Sequence, residues 1–454
     1  MTTDPDPQPQ RTSDIYGILV HPFAPRVLLL EQESGIWTLP HIHLPDSRLF
    51  FPLVELPNKQ LGDLLAAEVT ALRTVYSHYT EDHNHVDLIY SLENHSPNWL
   101  PPMPSRWANR EELAAIALAF PAHRAVIEAE LVEAETQDIP GLRPLWARRG
   151  WFAEAAAWMR DQLARHGYNL IGRIEQIKSW GISCLLRADT DQGKVYFKVS
   201  TPLPLFGDEP QVTRALATRY PAYVPLPLEI EPTRHWLLLR DFGTELRQHN
   251  NVETWAAAVR RFAELQRQAV SSVDELLALG CLDRRLEVLA AQIDPLLADD
   301  EALTGLSAGE IAQLRALAPR LKQLCQQATS YGVPATLTHG DLHSGNITAE
   351  SLLFFDWTDA CIAHPFFDLS TLIEEAESLP DGRNRLLAAY LPQWTKYEPE
   401  KRLRELWAIV EPLGALHQAV SYQHILATME PTSKQEFDWS IPFWLRRMIK
   451  TLPA

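Results

Sequence analysis

The sequence predicts an α+β chain built in two parts. Strand-like and helix-like apolar patterns alternate over residues 15–142. Short β-type runs then fill residues 168–243, and from Val252 onward the apolar spacing is almost entirely helical. Between the two parts, Pro140, Gly141, Pro144 and Gly150 punctuate a stretch that no regular element crosses.

Met1–Asp14 is polar and proline-rich, without the basic and apolar regions of a signal peptide, and reads as a disordered leader. Tyr16–Val20 and Arg26–Leu30 read as strands around a proline-containing turn. Leu61–Tyr76 shows helical spacing at Leu64, Leu65, Val69, Leu72 and Val75. His85–Leu92 alternates like a strand, and Glu111–Leu131 is helical. This order, with the Leu28-Leu29-Leu30 strand and Gly35-Ile36-Trp37-Thr38-Leu39-Pro40, resembles a Nudix domain and implies an α/β/α layering. A Nudix hydrolase holds catalytic metal on an Arg-Glu-x-x-Glu-Glu helix. Here the corresponding stretch, Leu64–Arg73, has only Glu68, and one carboxylate cannot hold that metal set. The domain is therefore expected to be non-catalytic. His41, His43, His78, His83 and His85 match no standard ligand spacing and read as solvated loop residues.

In the second part, Trp151–His166 is a helix with an apolar stripe at Phe152, Ala155, Ala156, Met159 and Leu163. Strands follow at Leu170–Lys178, Cys184–Ala188 and Lys194–Val199. The loop before the second strand holds Gly181 and Ser183, whose hydroxyl and N–H suit a phosphate. In the third strand Val195, Phe197 and Val199 share one face and Lys198 takes the other. A lysine set in an apolar strand needs a partner or water. A helix over Glu209–Arg219 comes next. The Asp241-Phe242-Gly243 triplet ends an apolar strand about a hundred residues before the next motif, so it reads as a connection and not as a metal ligand.

That motif is Leu337-Thr338-His339-Gly340-Asp341-Leu342-His343-Ser344-Gly345-Asn346, followed by Phe355-Asp356-Trp357. A base, a metal-binding amide and a metal-binding carboxylate, in that order, are what kinase-type phosphoryl transfer requires. Mg²⁺ is hard and takes oxygen ligands, few of them from protein.

His-Gly-Asp-Leu-His-x-Gly-Asn, Phe-Asp-Trp and His364-Pro365-Phe366-Phe367-Asp368-Leu369 together resemble the aminoglycoside phosphotransferase and choline kinase-like family. The resemblance implies a two-lobed, protein-kinase-like fold using ATP and Mg²⁺. It implies Asp341 as catalytic base, Asn346 and Asp356 as metal ligands, and His339 and Asp368 as structural support. It also implies nucleotide contacts from Ser183, Lys198 and Glu209, with backbone groups of Arg240 and Phe242 meeting adenine. His343 and Asp359 are candidate substrate residues. Glu374, Glu375 and Glu377 read as solvated helix-face residues. The positions of His417, Gln418, Tyr422 and His424 stay open.

The expected organisation is a leader at 1–14, a Nudix-like domain at 15–145, a small lobe with its preceding helix at 146–243 and a helical catalytic lobe at 244–454. A formal charge of −17 argues against a nucleic-acid partner, and no apolar run approaches a membrane span. Cys184, Cys281, Cys325 and Cys361 have no ligand spacing and read as reduced core residues of a cytoplasmic protein. The function expected is ATP-dependent transfer to a hydroxyl of a small molecule of the aminoglycoside, choline, sugar or amino alcohol class. A nucleotide-binding regulatory module and a Nudix-type hydrolase are the alternatives. Substrate, ATP against GTP, and oligomeric state are not set by the sequence.

Overall fold

The computed structural model describes residues 12–45, 53–80, 84–205 and 207–453. The chain divides into two units, Met1–Lys198 with Met429–Glu436, and Val199–Thr428 with Phe437–Ala454.

The first unit opens with β1 (Thr12–Leu19), β2 (Val27–Glu33), β3 (Ile36–Thr38) and β4 (His41–Leu44). Then come α1 (Glu55–Leu65), β5 (Val69–Tyr79), β6 (His85–Asn94) and β7 (Ser105–Ala108). The helices α2 (Arg110–Ala115) and α3 (His123–Thr136) flank a two-residue β8 (Ala117–Leu118). Two four-stranded sheets form, ordered β4-β1-β6-β5 and β7-β2-β3-β8. In the first sheet β1 and β6 are parallel and the other pairs antiparallel. β1 is covered on both faces: Ile15 and Leu19 join α1's Leu61 and Leu65 in one core, and Tyr16 and Ile18 join α3's Ile127 and Leu131 in another. Helix, sheet and helix are thus stacked as layers.

Four sequence expectations change here. Thr12 and Ser13 already pair in β1, so strand replaces leader from residue 12. The helix expected over Leu61–Tyr76 stops at Leu65, where Ala66 turns left-handed at φ 50°, and Val69–Tyr79 is a strand. Its β-branched and aromatic residues favour that conformation. The helix expected over Glu111–Leu131 is broken between α2 and α3, and Pro121 lies in the break. His41, His43, His78 and His85 lie on strands, not in loops, while His83 falls outside the described residues.

The unit continues with α4 (Trp151–Arg165), β9 (Leu170–Ser179), β10 (Ser183–Thr190) and β11 (Gly193–Ser200), the three strands side by side. Trp151 and Trp158 of α4 set their rings 6.0 and 5.7 Å from Phe197. Gln176 of β9 is buried and acts like a strand partner to β5: its amide donates to Ala71 O at 2.9 Å and accepts from Ala71 N at 3.0 Å. That side chain joins the β-rich meander to the preceding sheets.

The second unit starts with α5 (Glu209–Arg219) and the antiparallel pair β12 (Glu229–Glu231) and β13 (Trp236–Arg240). The helices α6 (Val252–Ala269) and α7 (Val273–Ala278) follow, then β14 (Leu282–Asp283), α8 (Leu286–Ala298) and α9 (Ala308–Thr329). Next come β15 (Thr336–Thr338), β16 (Cys361–Ala363), α10 (Phe367–Ala376), α11 (Gly382–Tyr390), α12 (Glu400–Ala427) and α13 (Ser440–Thr451). β14, β16 and β15 form a small sheet in that order, and the helices bury one continuous apolar core around it. All four cysteines are buried and free. Among the described residues no helix is long and apolar enough to cross a membrane.

Candidate active site

The motif 337–357 leaves β15 and returns to β16 through a tight double turn. Asp368, at the start of α10 and 2% exposed, grips its first bend. The carboxylate accepts from His339 N at 3.0 Å, Gly340 N at 2.9 Å and Gln266 Nε2 at 3.2 Å. Burial pushes its pKa up to about 7, against the pull of the two backbone N–H groups. Gly340 has φ +84°, and a Cβ there would stand 2.3 Å from Asp359 O. Only glycine lets these two chain segments meet so closely.

His339 is fully buried, donates from Nε2 to Phe355 O at 2.8 Å, and packs 4.7 Å from the Trp357 ring. Since that partner is a carbonyl, Nε2 carries the hydrogen. Burial lowers the ring's pKa, so it stays neutral and structural. Asn346 donates from Nδ2 to Asp341 O at 3.0 Å, which fixes the amide's orientation and leaves its oxygen as the end that can meet a cation. Phe355 N donates to Asn346 O at 3.0 Å, so Asn346 and Asp356 lie on opposite arms of one hairpin. Asp356 itself is left-handed, φ 65° and ψ 63°, a conformation aspartate tolerates better than most residues. Its Oδ1 accepts from Thr358 Oγ1 at 2.6 Å.

Gly345 N and Arg247 Nη2 both donate to His343 Nδ1 at 3.0 Å. Nδ1 is therefore the acceptor and Nε2 bears the hydrogen. That N–H stands 3.7 Å from Asp341 Oδ2. Asp341, His343, Asn346 and Asp356 are thus held on one short strip. Asp359 follows on the same turn, and burial together with the charges of Asp341 and Asp359 raises the pKa of Tyr422.

The remaining sequence candidates fall as follows. Glu209 is 3% exposed and accepts from Ser200 Oγ at 2.7 Å. Arg240 is exposed at the end of β13, and Phe242 sets its ring 4.7 Å from Phe355. Asp241 folds back to accept from Gly243 N at 3.1 Å. Along β11, Val195, Phe197 and Val199 are buried while Lys198 is half-buried on the alternate face. Ser183 Oγ accepts from Trp180 Nε1 at 2.6 Å, and Gly181 N donates to Glu436 Oε2 at 2.9 Å.

Several residues support the site in roles that the sequence did not assign to them. Glu375, expected as a solvated helix residue, accepts from Ser344 N at 2.7 Å and so braces the loop. Gln418 is buried and donates to Gly340 O at 2.6 Å. Gln266 sits four residues past Phe262 on the core face of α6, and a polar residue in an apolar stripe was the available signal. His417 is buried in the core near Phe367, ring centroids 5.0 Å apart.

Residues 195–406, a little under half of the chain, match the family model described as phosphotransferase enzyme family. The protein is an enzyme, a small-molecule kinase. No curated relative matches the chain. Among solved structures, it is similar to a choline/ethanolamine kinase family protein from Mesorhizobium loti, at 17% identity over 67% of this chain and 95% of that one, with a TM-score of 0.49. A macrolide 2'-phosphotransferase from Brachybacterium faecium aligns at 18% identity, over 61% of this chain and 97% of that one, with a TM-score of 0.41. A choline kinase from Streptococcus pneumoniae aligns at 11% identity, over 65% and 97%, with a TM-score of 0.45.

Proposed function

We propose that the enzyme transfers the γ-phosphate of ATP to a hydroxyl of a small molecule, of the amino alcohol, choline, sugar or aminoglycoside class. The observation that carries this reading is the strip on which Asp341, Asn346 and Asp356 are braced by Asp368, His339 and Glu375. Asp341 orients the substrate hydroxyl and accepts its proton as the oxygen–phosphorus bond forms and ADP departs. The oxygen end of Asn346 and the Asp356 carboxylate fit Mg²⁺, since the amide nitrogen is already committed to Asp341 O. When bound, Mg²⁺ neutralises charge on the phosphates. The His343 N–H steadies the Asp341 carboxylate, and Asp359 offers a second negative group to a cationic substrate. On the family resemblance, Ser183 and Lys198 contact phosphate, Glu209 positions the lysine, and the backbone of Arg240 and Phe242 meets the base; GTP is the alternative donor. The same reading takes 15–145 as a Nudix-like, non-catalytic domain, 146–243 as the small lobe and 244–454 as the helical lobe of a kinase-like fold. It also makes the protein cytoplasmic.

Thermal unfolding with and without Mg²⁺-ATP tests this. A ligand at a hundred times its dissociation constant adds about 2.7 kcal/mol of stability to the form it binds. Wild type should shift upward with Mg²⁺-ATP, and Asp356→Ala should not. Asp341→Asn should keep the shift and lose transfer. An equal shift in Asp356→Ala, or none in wild type with either nucleotide, overturns the assignment.

A further inference from the structure

The first sheet gathers polar groups that no step of phosphoryl transfer uses. Strand register sets His43, Asp14, Asp87 and His78 in one row across β4, β1, β6 and β5. His41 lies two residues from His43 and His85 two from Asp87, so both point to the same face. The side chains converge on Asp14. Its Oδ1 lies 2.8 Å from His41 Nε2 and 2.9 Å from His43 Nδ1, and its Oδ2 lies 3.3 Å from His85 Nε2. His85 Nε2 is also 3.2 Å from Asp87 Oδ1. Asp14, His85 and Asp87 each turn a ligand atom to within 4.8 Å of the others.

We propose that Asp14, His85 and Asp87 bind one divalent transition-metal ion of the zinc, cobalt or nickel class, with His41 and His43 held on Asp14 Oδ1 behind them. Bonds from nitrogen and oxygen ligands to such an ion are about 2.0–2.2 Å, so neighbouring donors around it stand roughly 2.8–3.6 Å apart. The separations of 3.3 Å from His85 to Asp14 and 3.2 Å from His85 to Asp87 fall in that range. Hydrogen bonds of the same length hold the groups when protons lie between them. The ion replaces those protons. The imidazole beside two carboxylates favours a borderline metal over Mg²⁺ or Ca²⁺, which prefer all-oxygen sets.

The surroundings fit a built site. His41 is stacked on Tyr16, ring centroids 4.5 Å apart and planes 18° from parallel, which fixes its orientation. His123, nearly buried, meets the same tyrosine edge-on at 4.5 Å. His85 Nδ1 lies 2.6 Å from Thr12 Oγ1. When Nε2 binds metal, the ring hydrogen moves to Nδ1 and the threonine oxygen accepts it, the usual arrangement behind a ligating imidazole. The three ligand side chains are between 24% and 32% exposed, so an ion can enter from solvent. This inference uses no residue of the phosphotransfer strip and stands or falls apart from it.

The test is zinc stoichiometry on tag-free, chelator-stripped full-length protein, read by elemental analysis after gel filtration and by titration calorimetry. Co²⁺ absorption reports the ligand geometry. Wild type should retain one equivalent. Changing even a residue behind a ligand costs about 10–100-fold in affinity, so Asp14→Asn and His85→Ala should each weaken zinc binding at least about tenfold. Asp87→Asn serves if either variant folds poorly, as judged by circular dichroism without metal. His166→Ala, an exposed histidine elsewhere in the unit, and Asp356→Ala should leave the stoichiometry at one. No retained zinc in wild type, or one equivalent undiminished in all three ligand variants, overturns the proposal.

Discussion

Asp368→Asn tests the bracing of the catalytic strip most directly. In wild type the carboxylate takes both His339 N and Gly340 N, and it is 2% exposed. The amide keeps one acceptor oxygen but turns an NH₂ toward the second donor. A buried donor left unpaired costs about 1–3 kcal/mol. Taking 2 kcal/mol, the local opening equilibrium rises roughly 30-fold. Hydrogen exchange at the His339 and Gly340 amides should quicken by that factor at pH 7, measured by fragment-resolved mass spectrometry. Exchange is the right assay because a chain of two units need not unfold in one step. The pH dependence adds a second check. Burial raises the Asp368 pKa to about 7 in the closed form, while the opened form titrates near 3.9. Below pH 7 the closed form therefore holds a proton that the opened form has released. The stability this gives is lost as pH rises through 7. Between pH 6 and pH 8 wild type loses about 1.4 kcal/mol, a factor of about ten, and the Asn variant loses none by this route. The variant-to-wild-type exchange ratio, in which intrinsic chemistry cancels, should thus fall about tenfold over that interval. A ratio near one at both pH values, or a ratio that rises with pH, would refute the bracing argument.

Other outcomes follow from the same geometry. Gly340→Ala drives a Cβ against the Asp359 backbone, so it should cost about 2 kcal/mol or more by thermal unfolding and slow transfer by about 100-fold through misplacing Asp341. Glu436, whose pKa burial raises to about 8, bonds the Gly181 N–H of the loop proposed to meet phosphate. As pH rises past 8 it gains a negative charge there, so Mg²⁺-ATP should bind about fivefold more weakly at pH 9 than at pH 7, a cost near 1 kcal/mol. Glu436→Gln should remove that dependence, and calorimetry showing the same dependence in both proteins would detach the loop from nucleotide.

What could be read from the sequence depended on how far apart its partners lie. Asp341, Asn346 and Asp356 sit within sixteen residues, and the hairpin that joins them closes through Phe355 N and Asn346 O. Their relation is local, so residue types and spacing reveal it. The helix α5, expected over Glu209–Arg219, has those limits, because Asp208 caps it and Pro210 begins its first turn. β5 failed for a physical reason. Val69 to Thr74 are all buried, so the strand shows no alternation, and its apolar residues happen to fall at helical intervals. Glu375 and Gln418 reach backbone atoms 31 and 78 residues away, and nothing near them in sequence names those partners.

The histidines of the first unit show the same limit from the other side. A ligand pattern in sequence is a spacing along one helix or loop. His43, Asp14 and Asp87 are brought together by register across three strands, and β1 and β6, parallel neighbours, are separated by more than sixty residues. A one-residue slip in either pairing would send one carboxylate to the opposite face and dissolve the cluster. That register is fixed by the apolar residues between the polar ones: Ile15 must face α1 and Tyr16 must face α3. The core that holds the sheet therefore also decides which polar groups meet, and a site of this kind becomes visible only after the packing is known.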